Sequence, residues 1–195
     1  MPISLTGKIV LITGASSGIG MSCAHYFAEA GAHVILSARR KEKLLSLADE
    51  LQQQYSTKTL LLPLDVQEAD AISTAIQGLP ADWQAIDILI NNAGLSRGLD
   101  KQYEAPLQDW EEMIDTNIKG LLYMTRAIAP GMVARQAGHI INIGSIAARY
   151  TYPGGSVYCA TKAAVKVLTE GLKIDLLGTP IRVTNIEPGL VETGF

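Results

Sequence analysis

The sequence predicts an α/β fold, a doubly wound parallel sheet held between two layers of helices. Three observations carry that expectation. Six short runs rich in β-branched and aliphatic residues alternate with helix-length patterns along the 195 residues. Hydrophobic residues make up 48% of the chain and charged residues 18%, a balance that suits strands covered on both faces. A Gly/Ser-rich turn, TGASSGIG at 13–20, stands between the first apolar run and the first helical pattern. No shift in composition divides the chain, so one domain over 1–195 is expected.

The elements follow in order. KIVLIT at 8–13 is the first strand, and the helix predicted over 18–30 closes at Gly31, where a left-handed cap is expected. HVILS at 33–37 and TLLLPL at 59–64 are the second and third strands, separated by a helix over 41–54. A helix over 68–78 leads to the fourth strand, IDILI at 86–90. The stretch 95–107, with Gly98 and Pro106, reads as a surface connection. A long helix is predicted over 108–134, kinked or interrupted at Pro130-Gly131 because proline has no N–H to give the helix. HIINI at 139–143 and IRVTNI at 181–186 complete the strands, with a helix over 156–177 between them. Right-handed crossovers would set the C-terminal ends of these strands along one crevice.

Composition excludes several functions. The 16 Lys+Arg and 19 Asp+Glu leave a net charge of −3, so no overall basic field points to nucleic acid or to an anionic membrane. No apolar run reaches the length of a membrane span, and the N-terminus lacks a leader pattern; a soluble, cytoplasmic protein is expected. Cys23 and Cys159 lack C-x-x-C spacing and read as reduced thiols. His25, His33 and His139 are scattered, so no metal site is expected.

The glycine turn is the first candidate site. Gly14, Gly18 and Gly20, with Ser16, Ser17 and Ile19, lie where backbone can approach a pyrophosphate and a helix N-terminus offers free N–H groups. A turn that only caps the helix is the alternative. The spacing is G-x-x-x-G-x-G, and no G-K-[ST] follows as in a nucleotide-triphosphate loop. Arg39 and Arg40 follow the second strand, where a site for NAD would carry an acid for the ribose hydroxyls. Two guanidiniums there suit the 2′-phosphate of NADP, or else simply open a solvated helix. Asp65 follows the third strand, placed to accept from an adenine amino group or to cap the next helix. Asn91, Asn92, Ala93 and Gly94 follow the fourth strand and could bind a ribose, brace the sheet end or form a turn.

Tyr158 and Lys162 stand four residues apart on a predicted helix, hence on one face, and Ser145 follows the fifth strand. A phenol titrates near pH 10, and moving it to pH 7 needs roughly 4 kcal/mol in favour of phenolate. An adjacent ammonium supplies part of that, which suits Tyr158 to general acid–base work on a carbonyl or carbinol oxygen. Ser145 could donate a second hydrogen bond to the same oxygen. Y-x-x-x-K by itself also arises by chance on amphipathic helices. Arg149, between Ser145 and Tyr158, is a candidate partner for a substrate carboxylate, with a surface salt bridge as the alternative.

Assembled in order, TGASSGIG at 13–20, NNAG at 91–94, Asn117, Ser145, YCATK at 158–162 and PG at 188–189 closely resemble the short-chain dehydrogenase/reductase family over essentially the whole chain. The stretches 110–127, 138–145 and 186–193 resemble its NADP-dependent 3-hydroxy acid dehydrogenases, which oxidise serine and allo-threonine. The resemblance implies a Rossmann-like α/β/α fold and NADP as cofactor. Tyr158 would be the acid/base, Ser145 would orient the reacting oxygen, Lys162 would hold the nicotinamide ribose, and Asn117 would complete a tetrad by holding a relay water. From sequence alone Asn117 could equally be a mid-helix polar residue. Further cofactor contacts would come from the glycine loop, Arg39, Arg40, Asp65, Val66, Asn92, Pro188, Gly189, Val191 and Thr193. Relatives continue past the position of Phe195 with a substrate-covering segment, a helix and a seventh strand, so the family's C-terminal elements are expected to be missing. A homo-oligomer, with a tetramer favoured, is expected from the apolar faces of 108–134 and 156–177. Other readings are a carbonyl or 3-oxoacyl reductase of the same family and a non-catalytic NADP-binding sensor or scaffold.

Overall fold

In a computed structural model that describes residues 4–192, six strands form one sheet in the order β3-β2-β1-β4-β5-β6. They are β1 (Ile9–Thr13), β2 (His33–Ala38), β3 (Thr59–Pro63), β4 (Ile88–Asn91), β5 (His139–Ile143) and β6 (Arg182–Ile186). Every pairing is parallel. Parallel neighbours need long crossovers, and the helices α1 (Gly18–Glu29), α2 (Lys41–Tyr55), α3 (Ala69–Gln77), α4 (Leu107–Ile114), α5 (Leu121–Arg135) and α6 (Ser156–Asp175) supply them. The fold is Rossmann-like, as the alternation of runs predicts.

β1 shows why its sequence is apolar without alternation. All five residues are buried. Val10 and Ile12 point into a core with Ala24 and Ala28 of α1 and Leu44 and Leu51 of α2. Ile9 and Leu11 face the opposite core, with Ile72 of α3 and Met124, Ile128 and Met132 of α5. A central strand with helices on both sides has no solvent face for a polar residue.

The chain winds outward from β1 through β2 to β3, then returns to β4 on the other side of β1. At that reversal the loops after β1 and β4 diverge and leave a crevice at the C-terminal edge. Gly31 takes φ +89° just beyond α1, the left-handed cap that its position predicts.

Two local expectations change. The interruption of the 108–134 helix is not at Pro130, which lies inside a continuous α5 whose Met124, Ile128 and Met132 are anchored in the core. It is a widened π turn at Asp115–Gly120. At its end Gly120 packs so closely on Val66 that a Cβ would lie 2.7 Å from the valine side chain. Asp65 does not cap α3, whose N-cap is Glu68. Its Oδ1 instead accepts from the backbone N–H of Gln67 at 3.1 Å. Among the described residues, no helix is long and apolar enough to cross a membrane.

Candidate active site

The glycine loop is shaped by contacts that exclude side chains. Gly14 takes φ +65°, and a Cβ on it would meet Ala93 Cα at 2.9 Å. A Cβ on Gly20 would fall 2.3 Å from the carbonyl oxygen of Gly14. The start of α1 therefore folds directly onto the end of β1, with backbone rather than side chains facing the crevice. Ser17 is the N-cap of α1 yet makes no side-chain capping bond. Its Oγ lies 3.5 Å from Arg40 Nη2, which also donates to Ser16 Oγ at 3.0 Å. These hydroxyls face the guanidinium, which weighs against a loop that serves only as a cap.

The two arginines diverge. Arg39 Nη1 is 3.8 Å from Asp65 Oδ2 and 4.0 Å from Glu112 Oε1, so two carboxylates compensate its charge. Glu112 is in turn gripped by Arg97 at 2.7 and 2.9 Å. That bond holds the Glu112 carboxyl below its usual range.

NNAG braces the loop. Asn92 Nδ2 donates to the carbonyls of Thr13 at 2.9 Å and Gly14 at 3.2 Å. Thr13 Oγ1 accepts from the N–H groups of Asn92 and Ala93, and itself donates to Ile90 O. Asn91 ties β4 to its neighbours through Asn142 Oδ1 and Thr125 Oγ1.

At the other end, Ser145 follows β5, and Tyr158 and Lys162 share one face of α6. Lys162 is 6% exposed, and its Nζ donates to Ile143 O at 2.9 Å. Burial lowers its ammonium to about 8. Lys162 Nζ lies 5.8 Å from the Tyr158 ring centroid. In this structure the burial of the phenol outweighs the lowering expected of this cation. Burial pushes Tyr158 above its ordinary range, and a hydrogen bond with Ser145 only partly opposes it.

Asn117 is not an ordinary mid-helix residue. It is 2% exposed in the π turn, where Nδ2 donates to Leu95 O and Thr161 Oγ1 while Oδ1 accepts from Leu95 N. A Cβ on Gly94 would lie 3.2 Å from Asn117 Oδ1 and 3.5 Å from Lys162 Nζ, so both groups border one glycine.

One cleft of about 920 Å³ joins the two ends. Gly14, Ser16, Ser17, Gly18, Ile19, Arg39, Arg40, Asp65, Val66 and Asn92 line one part of it. Ser145, Tyr158, Lys162, Pro188, Gly189 and Val191 line the other.

The short chain dehydrogenase family model matches residues 8–195. The chain belongs to that family. It is 53% identical over 183 residues to the NADP-dependent 3-hydroxy acid dehydrogenase of Salmonella typhi, a match covering 94% of this chain and 72% of that protein. Identity to the fission yeast (Schizosaccharomyces pombe) NADP-dependent 3-hydroxy acid dehydrogenase is 46% over 192 residues, covering 98% and 74% of the two chains. The crystal structure of serine dehydrogenase from Escherichia coli superposes with a TM-score of 0.90 at 51% identity, over 94% of this chain and 83% of the other. A closed form of serine dehydrogenase complexed with NADP+ gives 0.90 at 49%, over 96% and 74%.

Against this short-chain dehydrogenase frame, Arg149 forms the salt bridge that the sequence leaves open. Its Nε donates to Glu187 Oε2 at 2.6 Å, and the residue does not line the cleft. Thr193 lies outside the described residues. Gly20 and Asn117 do not line the cleft. Sequence reasoning missed Thr13, Thr161, Ser96 and Tyr152. Thr13 had a signal, since a polar residue ends an otherwise apolar strand, whereas Ser96 and Tyr152 lie in irregular loops without periodicity.

Proposed function

We propose that the protein is an NADP-dependent oxidoreductase that moves a hydride between the nicotinamide and the carbinol carbon of a small 3-hydroxy acid, of the serine or allo-threonine type. The observation that carries this reading is a single cleft with the Arg40-backed glycine loop at one end and Ser145, Tyr158 and Lys162 together at the other. The names of the Salmonella and fission yeast relatives and of the E. coli serine dehydrogenase support the substrate class.

The residues fit the dinucleotide. The close approach at Gly14 and Gly20 leaves backbone N–H groups for a pyrophosphate, and Arg40 offers a guanidinium for a 2′-phosphate. Bound there, NADP supplies hydride transfer. The protein supplies proton transfer and charge stabilisation. Tyr158 gives its phenolic proton to a carbonyl oxygen in reduction, or takes the carbinol proton in oxidation. Ser145 donates a hydrogen bond to that oxygen and steadies its developing negative charge. Lys162, held by Ile143 O, keeps a cation near the phenol, and Asn117 anchors the adjoining backbone at Leu95.

The same acid/base group serves carbonyl reduction, which keeps a carbonyl or 3-oxoacyl reductase as the second reading. Two free cysteines, Cys23 and Cys159, support a reducing compartment such as the cytoplasm. Exposed Leu122 on α5 and Val167 and Ile174 on α6 support a homo-oligomer, with a tetramer favoured.

Tyr158→Phe tests the chemistry. It should lower turnover by about 10²- to 10⁴-fold, the usual contribution of a positioned acid/base, while NADPH affinity measured by fluorescence stays close to wild type. Retained turnover overturns the assignment.

A further inference from the structure

The reacting end of the cleft holds a second phenol that the proton chemistry leaves unused. Tyr152 lies between β5 and α6, and Ser96 lies in the loop after β4. Both residues line the cleft together with Ser145 and Tyr158. Tyr152 is 37% exposed, so a small molecule can reach it.

Two glycines shape the backbone around Tyr152. A Cβ on Gly155 would lie 2.2 Å from the Tyr152 ring, so the ring rests against bare backbone. Gly154, at φ +77°, brings its loop so close to the loop after β4 that a Cβ would meet Leu99 O at 2.3 Å. A side chain at Gly155 would displace the phenol.

The neighbouring cations are committed elsewhere. Arg97 donates twice to Glu112, at 2.7 and 2.9 Å. Arg149 is paired with Glu187 at 2.6 Å. Lys162 is buried and donates to Ile143 O at 2.9 Å. A substrate carboxylate that took either arginine would have to break an ion pair. The Tyr152 and Ser96 hydroxyls can give a carboxylate charge-assisted hydrogen bonds without breaking an ion pair.

We propose that Tyr152 and Ser96 form the specificity-determining contact for the carboxylate of the substrate, a proposal that rests on the hydroxy acid reading above. This pair takes the place that the sequence offers to Arg149. Recognition is by neutral donors.

Kinetics with serine and with serine methyl ester test it. Tyr152→Phe and Ser96→Ala should each raise KM for serine by about tenfold or more, the value of a lost hydrogen bond to a charged group. The loss should exceed that for the methyl ester by at least about fivefold, with kcat falling less than KM rises. Equal losses for acid and ester, or no loss for either, overturn the proposal. Propionate, as a competitive inhibitor of uncharged-ketone reduction, reports the same contact without hydroxy acid turnover. Its Ki should rise in both variants, and an unchanged Ki overturns the proposal. A wild-type enzyme that oxidises no 3-hydroxy acid refutes the substrate class, and the propionate measurement still decides the role of Tyr152. Should Tyr152→Phe fail to fold, Ser96→Ala carries the same two measurements.

Discussion

Arg40 and Arg39 are adjacent in sequence, yet their different surroundings predict unequal shares in any preference for NADP over NAD. The perturbation is Arg40→Ala set beside Arg39→Ala. Arg40 reaches the hydroxyls of Ser16 and Ser17 at 3.0 and 3.5 Å, which places its charge over the glycine loop. Arg39 lies between Asp65 and Glu112 at 3.8 and 4.0 Å, so its field is largely compensated. A hydrogen bond to a charged group contributes roughly 1.5–3 kcal/mol. Arg40 is exposed, and solvent and salt push the value to the low end of that range. Arg40→Ala should therefore shrink the ratio of NAD to NADP dissociation constants by about tenfold, and Arg39→Ala by less than about threefold. Titration of NADPH and NADH against the fluorescence of Trp83 and Trp110 measures both constants. Raising the salt should narrow the wild-type ratio and leave that of Arg40→Ala nearly flat. A larger collapse in Arg39→Ala than in Arg40→Ala would refute the reasoning.

Two further outcomes follow from burial and close packing. Lys162 titrates at about 8 in the fold against 10.5 ordinarily, a gap of roughly 3 kcal/mol. Its folded value is the lower one, so between about 8 and 10.5 the unfolded chain binds more protons and the fold gains stability as pH rises; below about 8 the full cost is present. Lys162→Met should therefore stabilise the cofactor-free protein at pH 7, less the lost bond to Ile143 O, and flatten that alkaline rise; urea melts at pH 7 and 10 check both, and an unchanged pH slope counts against it. Gly20→Ala places a Cβ 2.3 Å from Gly14 O and should destabilise by about 1–3 kcal/mol despite the better helix propensity of alanine, with a parallel loss of NADPH affinity. Thermal unfolding and cofactor titration check it, and a stabilised variant would show that the close approach carries no strain.

The strands and helices were legible because each leaves a local signature. The predicted run 139–143 coincides with β5, and the other boundaries move by one or two residues. The glycine turn was equally legible, since only a residue without Cβ tolerates the contacts at Gly14 and Gly20. The long helix was misread at Pro130 because proline is the loudest local signal. The actual break at Asp115–Gly120 comes from packing of Gly120 on Val66 and of Asn117 on Leu95, partners distant in the chain. Asp65 shows the same limit, where a plausible cap turns instead to Gln67 and Arg39.

By itself the sequence determined the α/β/α layering, the glycine loop after β1 and the grouping of Ser145, Tyr158 and Lys162 as one candidate set, because periodicity and motif order are properties of neighbours along the chain. Only the tertiary structure decided which arginine stands over the loop, that Arg149 belongs to Glu187, and that Tyr158 is raised rather than lowered. The physical reason is common to all three. Charge compensation and desolvation depend on which residues from other segments surround a group, and folding alone brings those segments together.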